Sequence, residues 1–151
     1  MIECVRVDYR LLHGQVAVSW CSALGINCIL LVTDTLKDDP IRVTSVKLAK
    51  PESCKLVVKN VSESIEAVKS KVTDKYKLMV VCETVDEGVK FVKALRIGSL
   101  NVGNTRPGKG KEKLDSVVFV TPEEKAALSE LKNSGVDVYM QMIPDSRRIK
   151  F

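Results

Sequence analysis

The sequence predicts an open α/β fold in which a twisted, mostly parallel sheet of about seven strands carries helices on both faces. Apolar runs of strand length alternate with helical patterns along the whole chain, which is the pattern of successive strand–helix–strand units. The 151 residues are close to the usual size of one domain, and no linker rich in proline, glycine or serine divides them. We therefore expect a single domain over residues 1–151.

The first third of the chain predicts two strands joined by a helix. An apolar strand over residues 2–7 is followed by a short polar stretch and then by a helical pattern over 15–24. Gly25 stands where a helix C-terminal cap belongs. The second strand, 27–32, is almost continuously apolar, which is typical of a strand that is covered on both faces.

The middle of the chain repeats this alternation. A helix is expected over 39–49, closed by Pro51, and is followed by a strand over 55–58. A third helix is expected to begin at Ser62 and to end near residue 71, before a strand over 77–82.

The next part of the chain contains a strong helix signal and a long break. Thr84 and Glu87 form a capping box that begins a helix ending near Gly98. A short strand over 100–102 then opens into residues 103–111, the longest interruption of the pattern and therefore a candidate functional loop.

The last third predicts a strand, a helix and a final strand. A strand over 117–120 precedes a second capping box, 121–124, with proline at the first helical position. Gly135 ends that helix, and a last strand over 136–143 is stopped by Pro144. These assignments give seven strands and five helices.

Composition and charge exclude several classes of protein. No apolar run approaches the length of a membrane span and the N-terminus does not resemble a signal peptide, so we expect a cytoplasmic protein. The five cysteines are odd in number, scattered and without a C-x-x-C pair, which predicts small buried side chains in a reducing compartment. The net charge of +5 is spread along the chain, which suits an acidic partner or a phosphate better than a nucleic acid.

The loop after the first strand contains the only histidine, His13. In open α/β sheets ligands bind at the carboxyl ends of the strands, and the N-terminus of the following helix favours anions. Gly14 and Gln15 begin that helix, and Arg10 provides a guanidinium suited to phosphate oxygens. Asp8 is placed to accept a hydrogen bond from Arg10 or from a ring N–H of His13, which would fix the nucleophilic nitrogen. A lone histidine cannot build a histidine metal cluster, so no metal is expected.

Other basic residues are weaker candidates. Arg106, Lys109 and Lys111 lie in the 103–111 region and would reach either a phosphate or an acidic partner, although basic loops are more often simply solvated. Arg147 and Arg148 follow the last strand and are open to the same two interpretations.

Asp34 and Trp20 are two further candidates in the sequence. Asp34 ends the second strand, where a cap or turn role competes with a place in the crevice. Trp20 is expected to pack in the core beneath the loop. The chain also lacks both the GK-[ST] ending of a P-loop and a G-x-G-x-x-G motif, so nucleotide binding has little support.

Residues 6–16, Arg-Val-Asp-Tyr-Arg-Leu-Leu-His-Gly-Gln-Val, resemble a known family signature. It is the R-[IV]-D-x-R-L-[IL]-H-G-Q-V motif of the IIB components of the mannose/fructose/sorbose class of bacterial phosphoenolpyruvate-dependent sugar phosphotransferase systems. Trp20, Asn27 and the segments 101–103 and 141–144 extend the resemblance over essentially the whole chain. Tyr9 and residues 104–106 depart from the family pattern without touching His13.

The resemblance implies a phosphoryl carrier that is an open α/β protein. His13 would accept the phosphoryl group from a IIA phosphohistidine and pass it to a sugar during transport through the membrane components IIC and IID. The protein would associate peripherally with that complex, and no cofactor is implied; a homo-oligomer is compatible with the sequence. The alternative is a non-catalytic regulator that binds a ligand or partner on the same scaffold, with His13 as a pH-sensitive contact.

Overall fold

Nine strands and five α-helices make up the structure, a computed structural model that describes residues 1–151. The strands are β1 (Ile2–Asp8), β2 (Cys28–Val32), β3 (Lys55–Lys59), β4 (Leu78–Cys82), β5 (Ser99–Asn104), β6 (Glu112–Asp115), β7 (Val118–Val120), β8 (Asp137–Met140) and β9 (Ile149–Lys150). The helices are α1 (Gly14–Leu24), α2 (Pro40–Ala49), α3 (Val61–Lys69), α4 (Val85–Leu95) and α5 (Pro122–Asn133), with a 3₁₀ turn at Leu36–Asp38 before α2.

Seven strands form one sheet in the order β3-β2-β4-β1-β5-β8-β9. All neighbours in it are parallel except β8 and β9, which are antiparallel. The chain moves from β1 toward the β3 edge and from β4 toward the β9 edge, so its direction reverses around the central strand β1. Such a reversal opens a crevice at the carboxyl ends of the strands, which places the end of β1 at the expected ligand position. The predicted fold class is confirmed.

Two apolar cores lie on opposite faces of this sheet. One contains buried residues of α1 and α2, and the other contains buried residues of α4 and α5 with α3 packed against it. Alternate residues of β2 point into each core: Ile29 and Leu31 face the α1 side, while Leu30 and Val32 face the other. This explains why the strand reads as a continuous apolar run and confirms the prediction of helices on both faces.

Helix ends agree closely with the capping signals in the sequence. Both predicted capping boxes form, with Thr84 and Thr121 accepting hydrogen bonds from the backbone N–H three residues later. Gly25 adopts the left-handed conformation, with φ of 65°, that a helix C-terminal cap requires. A third capping box at Asn60 starts α3 at Val61, one residue earlier than expected.

Three features of the fold differ from the expectation: the pairing of one strand, the identity of the seventh strand in the main sheet, and the end of one helix. The strand expected at 117–120 forms β7, which pairs antiparallel with β6 in a separate two-stranded sheet, so the region 103–111 ends in a hairpin. The seventh strand of the main sheet is instead the short β9, which the sequence analysis did not assign. The helix α4 ends at Leu95 and not near Gly98, because Arg96 takes a left-handed φ of 53° at its C-cap.

The last long strand is also shorter than predicted. The strand β8 ends at Met140, because Gln141 bonds its backbone N–H to the side chain of Asn101 and not to a strand partner. No helix in the chain combines the length and the apolar character needed to cross a bilayer.

All five cysteines are buried and free, as predicted: Cys4, Cys21, Cys28, Cys54 and Cys82. Burial raises the pKa of Cys4 to about 11 and that of Cys21 to about 12. Because the thiolate is the reactive form, we expect the native protein to resist an aromatic disulfide reagent at pH 8 and to react at all five thiols after denaturation. Fast labelling of any thiol in the native protein would contradict this burial.

Candidate active site

The loop between β1 and α1 is held rigidly against the sheet. The backbone N–H of Leu11 donates to the carbonyl of Asp8 at 3.0 Å, which closes a turn directly after β1. Leu11 adopts a positive φ of 61°, a conformation that costs a non-glycine residue about 1–2 kcal/mol. The side chains of Leu11 and Leu12 are buried in the core on the α1 face, which offsets this cost. The next residue, His13, therefore has a defined position.

The N-terminus of α1 is free to bind an anion. His13 is the N-cap residue, yet its side chain makes no capping hydrogen bond, and the first turn contains no acidic residue. The N–H groups of the first helical residues, Gly14 and Gln15 among them, have no acceptor within the helix. Gly14 has a φ of 45°, which favours glycine at this position. These donors and the helix dipole favour negative charge beside His13.

Asp8 fixes the orientation of the His13 ring. Its carboxylate oxygen Oδ2 lies 2.8 Å from Nε2 of His13, while Oδ1 accepts the backbone N–H of Arg10 at 2.9 Å. Asp8 is fully buried and the side chain of His13 is 12% exposed. Because a carboxylate only accepts, the neutral ring carries its hydrogen on Nε2 and keeps a lone pair on Nδ1, which makes no hydrogen bond.

The guanidinium that reaches Asp8 belongs to Arg6 and not to Arg10. The sequence left open whether Asp8 would accept a hydrogen bond from Arg10 or from His13. In the structure, the Asp8 carboxylate accepts from the ring of His13, from the backbone N–H of Arg10 and from the side chain of Arg6. The Arg10 side chain is exposed and forms no hydrogen bond or ion pair, so it is available to a ligand. The role of Arg6 was missed, although an arginine inside an apolar strand and two residues before an aspartate was a usable signal.

A cage of neighbouring elements surrounds the Arg6 guanidinium. Its Nη1 donates to the carbonyl of Gln141 at 2.7 Å, and the group lies 5.7 Å from the ring centre of Trp20. Trp20 is buried as predicted, and its indole N–H donates to the carbonyl of Met142 at 2.9 Å. Residues 141–143, which were predicted to continue the last strand, thus lie after β8 and form one wall of the site.

Gly103 makes room for this guanidinium. A Cβ added there would lie far inside van der Waals contact with Cζ and both Nη atoms of Arg6. We expect Gly103→Ala to destabilise the fold by about 1–3 kcal/mol, the range for overpacking a full site, in urea unfolding. In a double-mutant cycle, Gly103→Ala should cost less stability in an Arg6→Ala background than in the wild type, because the guanidinium that its Cβ would meet is absent. Equal stabilities of Gly103→Ala and the wild type would contradict the packing described.

The secondary basic candidates lie at different places. Arg106 stacks over the ring of Tyr9 at 5.0 Å, which brings it next to the His13 loop. Nζ of Lys111 donates to the backbone carbonyl of Arg106 at 2.7 Å, and Lys109 is exposed without a side-chain contact. Arg147 is likewise exposed and forms no hydrogen bond or ion pair.

Two other candidates are placed away from the ring of His13. Arg148 pairs with Asp137 and lies 3.5 Å from the ring centre of Tyr139, at the β9 edge of the sheet. Asp34 lies in an exposed bend after β2 and caps no helix; the hydroxyl of Thr33 accepts the N–H of Thr35 in its place. Neither is brought into the site.

Comparison with known proteins identifies the family. The family model described as "PTS system sorbose subfamily IIB component" matches residues 2–151. The chain is 29% identical to the N-acetylgalactosamine-specific phosphotransferase enzyme IIB component 2 of Escherichia coli K12, over 92% of this chain and 88% of that protein. It is 30% identical to a probable phosphotransferase enzyme IIB component of Streptococcus pyogenes serotype M6, over 99% and 96% of the two chains.

A solved structure gives the same result. The crystal structure of manxB from Thermoanaerobacter tengcongensis superposes with a TM-score of 0.89 at 29% identity, covering 99% of this chain and 92% of that one. The signature around His13, the fold and these relatives agree. The chain belongs to the sorbose-subfamily IIB components of the phosphotransferase system, which act as phosphoryl carriers and phosphotransferases in sugar transport.

Proposed function

We propose that His13 is the residue of this chain that carries the phosphoryl group, and that it does so on Nδ1. The observation that supports this is the 2.8 Å contact between Asp8 Oδ2 and His13 Nε2, which leaves Nδ1 as the nucleophilic nitrogen. Nδ1 sits on the residue that caps α1, so a group attached to it lies near the free N–H groups of Gly14 and Gln15.

The first transfer needs no proton to move at His13. The Nδ1 lone pair attacks phosphorus in a IIA phosphohistidine, so a new N–P bond forms. The donor N–P bond breaks, and its electron pair returns to the donor ring. The His13 ring gains positive charge, and the Asp8 carboxylate beside Nε2 stabilises it.

The second transfer reverses these roles. A sugar hydroxyl attacks phosphorus, the N–P bond breaks, and its electron pair returns to Nδ1 of His13. The hydroxyl proton leaves to a base outside this chain, because Asp8 is fully buried behind the ring. The sugar is presented by the membrane components IIC and IID, and we infer that the chain works in the cytoplasm, peripherally on that complex.

Basic groups around the loop suit the phosphoryl group and its donor. The exposed Arg10 guanidinium lies on the loop itself, and Arg106 lies against Tyr9 beside it. Lys109 and Arg147 are exposed and unpaired, so we assign them to the surface that meets an acidic partner protein and not to the phosphate.

Peptide mapping tests the assignment. We expect the protein to gain one acid-labile phosphoryl group when it is incubated with its phosphorylated IIA partner, on the peptide that contains His13. Label on another peptide would exclude His13. No label at all would favour the alternative, a regulator that binds a ligand or partner without turnover.

Arg10→Ala is expected to leave folding unchanged and to slow phosphoryl transfer by about 100-fold or more, because a preorganised charge at the transferring group is lost. The unchanged fold follows from the exposure of the side chain, since its backbone N–H still binds Asp8. Rapid-quench transfer from phosphorylated IIA measures the rate. Arg96→Ala is the matched control, because Arg96 is an exposed arginine at the C-cap of α4, at the end of the sheet opposite His13. An unaltered rate in Arg10→Ala would remove this side chain from the site.

A further inference from the structure

Arg6 is the largest fully buried side chain in the protein, with 1% of its surface exposed. Burying a guanidinium is unfavourable unless it is paired and hydrogen-bonded. Burial lowers the pKa of Arg6, and the neighbouring Asp8 charge opposes that change. The burial of the Arg6 guanidinium in β1 is therefore costly, which indicates that this side chain has a specific role.

Two nitrogens of Arg6 converge on one oxygen of Asp8. Nε and Nη2 lie 3.4 and 3.2 Å from Oδ2 of Asp8, the same atom that receives Nε2 of His13. The other carboxylate oxygen is held by the backbone N–H of Arg10. Arg6 and the backbone of Arg10 thus fix the position of the Asp8 carboxylate, and Arg6 supplies its counter-charge, while Oδ2 still accepts from His13.

The guanidinium is itself held on its far side. Nη1 donates to the Gln141 carbonyl at 2.7 Å, and the amide of Asn101 donates to the same carbonyl at 3.2 Å. Gly103 supplies the space, as described above. The position of Arg6 is therefore set by β5 and by the segment after β8, and not only by Asp8.

We propose that Arg6 is a positioning residue for phosphoryl transfer, which acts through Asp8 to keep the nucleophilic nitrogen Nδ1 of His13 free of hydrogen. It does not touch the phosphoryl group. Without Arg6, the buried Asp8 lacks a counter-charge and takes up a proton. A protonated Asp8 donates to Nε2, so the ring hydrogen moves to Nδ1 and occupies the nucleophilic lone pair. This inference rests on the proposed role of His13.

The test is the tautomer of His13 in the unphosphorylated protein, read from ¹⁵N chemical shifts at a pH where the ring is neutral. We expect the Nε2–H form in the wild type and a large Nδ1–H fraction in Arg6→Gln. Phosphoryl acceptance should fall by about 10- to 100-fold, as when a residue that orients a reactive group is removed. Arg6→Lys restores the charge and should restore the Nε2–H form.

Controls separate positioning from a purely structural role. Arg42→Gln removes another arginine that forms an ion pair near the sheet. Arg42 is 31% exposed and pairs at 3.2 Å with Glu83, which follows β4, so its loss should leave the tautomer unchanged. A folded Arg6→Gln protein that keeps the Nε2–H form would overturn the proposal, even if it is less stable. Far-ultraviolet circular dichroism reports whether each variant is folded; fluorescence of Trp20 does not, because that ring lies beside Arg6.

A measurement on the wild type decides the case in which both Arg6 variants unfold. A clamped guanidinium gives separate, slowly exchanging Nη–H signals that shift when His13 is phosphorylated, whereas averaged and unshifted signals would overturn the proposal. The tautomer is read in the absence of phosphate. If the wild type takes no label, but the wild type has the Nε2–H form and Arg6→Gln has the Nδ1–H form, only the proposed function is contradicted. A labelled wild type with an unchanged Arg6→Gln tautomer contradicts only the positioning role.

Discussion

Replacing His13 with glutamine is expected to abolish phosphoryl acceptance while the protein stays folded. An amide has no nucleophilic ring nitrogen, and the chain has no second histidine to replace it. Removing a covalent nucleophile lowers rates by about 10⁴-fold or more. The fold should persist, because the His13 side chain caps no N–H of α1 and packs no core.

The measurement is transfer of label from phosphorylated IIA, with circular dichroism and urea unfolding on the same preparation. The glutamine can still donate to Asp8, so the loss of stability should stay within about 1–3 kcal/mol, the cost of weakening one charged hydrogen bond. Retained label on a folded His13→Gln protein would contradict the assignment.

Asp8→Asn should have the second-largest effect and should change both stability and rate. Its carboxylate pairs with Arg6 at 3.2 Å, and both side chains are buried. Removing one partner of a buried ion pair leaves the other charge uncompensated, which costs about 3–5 kcal/mol. An asparagine also no longer enforces the Nε2–H tautomer, and a comparable change in a serine protease lowers turnover by about 10⁴-fold.

Asp137→Asn is the matched control for Asp8→Asn. Asp137 pairs with Arg148, but both side chains are nearly half exposed, so the loss should be at most about 1 kcal/mol. Equal losses of stability in the two variants would show that burial of the Arg6–Asp8 pair does not set its contribution.

Much of the fold was predictable, because local signals and tertiary packing agree. The capping boxes at Thr84 and Thr121 and the glycine cap at Gly25 mark helix ends by hydrogen bonds between near neighbours, which a sequence shows directly. Continuous apolar runs such as β2 report burial on both faces. The fold class follows from their alternation.

The differences arise where distant residues decide the local structure. The strand β9 has two residues and exists only through its pairing with β8, and β6 and β7 pair outside the main sheet, so neither arrangement has a local signal. Gln141 leaves β8 because Asn101, forty residues away, binds its backbone. The periodicity of apolar residues contains no information about such contacts between distant parts of the chain.

The same distinction applies to the site. Asp8, Arg10, His13 and Gly14 lie between the last residue of β1 and the first residue of α1, so their proximity was predictable from their spacing. The Arg6 cage depends on Gly103 and on Gln141, which are distant in sequence, and only the structure shows how they surround the guanidinium.

The most direct test of the account is the position of the phosphoryl group on His13, determined by NMR of protein labelled with ¹⁵N in histidine and phosphorylated by IIA. Because Asp8 holds Nε2, we predict coupling of phosphorus to Nδ1, with the hydrogen on Nε2 still bonded to Asp8. Coupling of phosphorus to Nε2 would contradict the mechanism, since that nitrogen cannot bind Asp8 and carry the phosphoryl group at once.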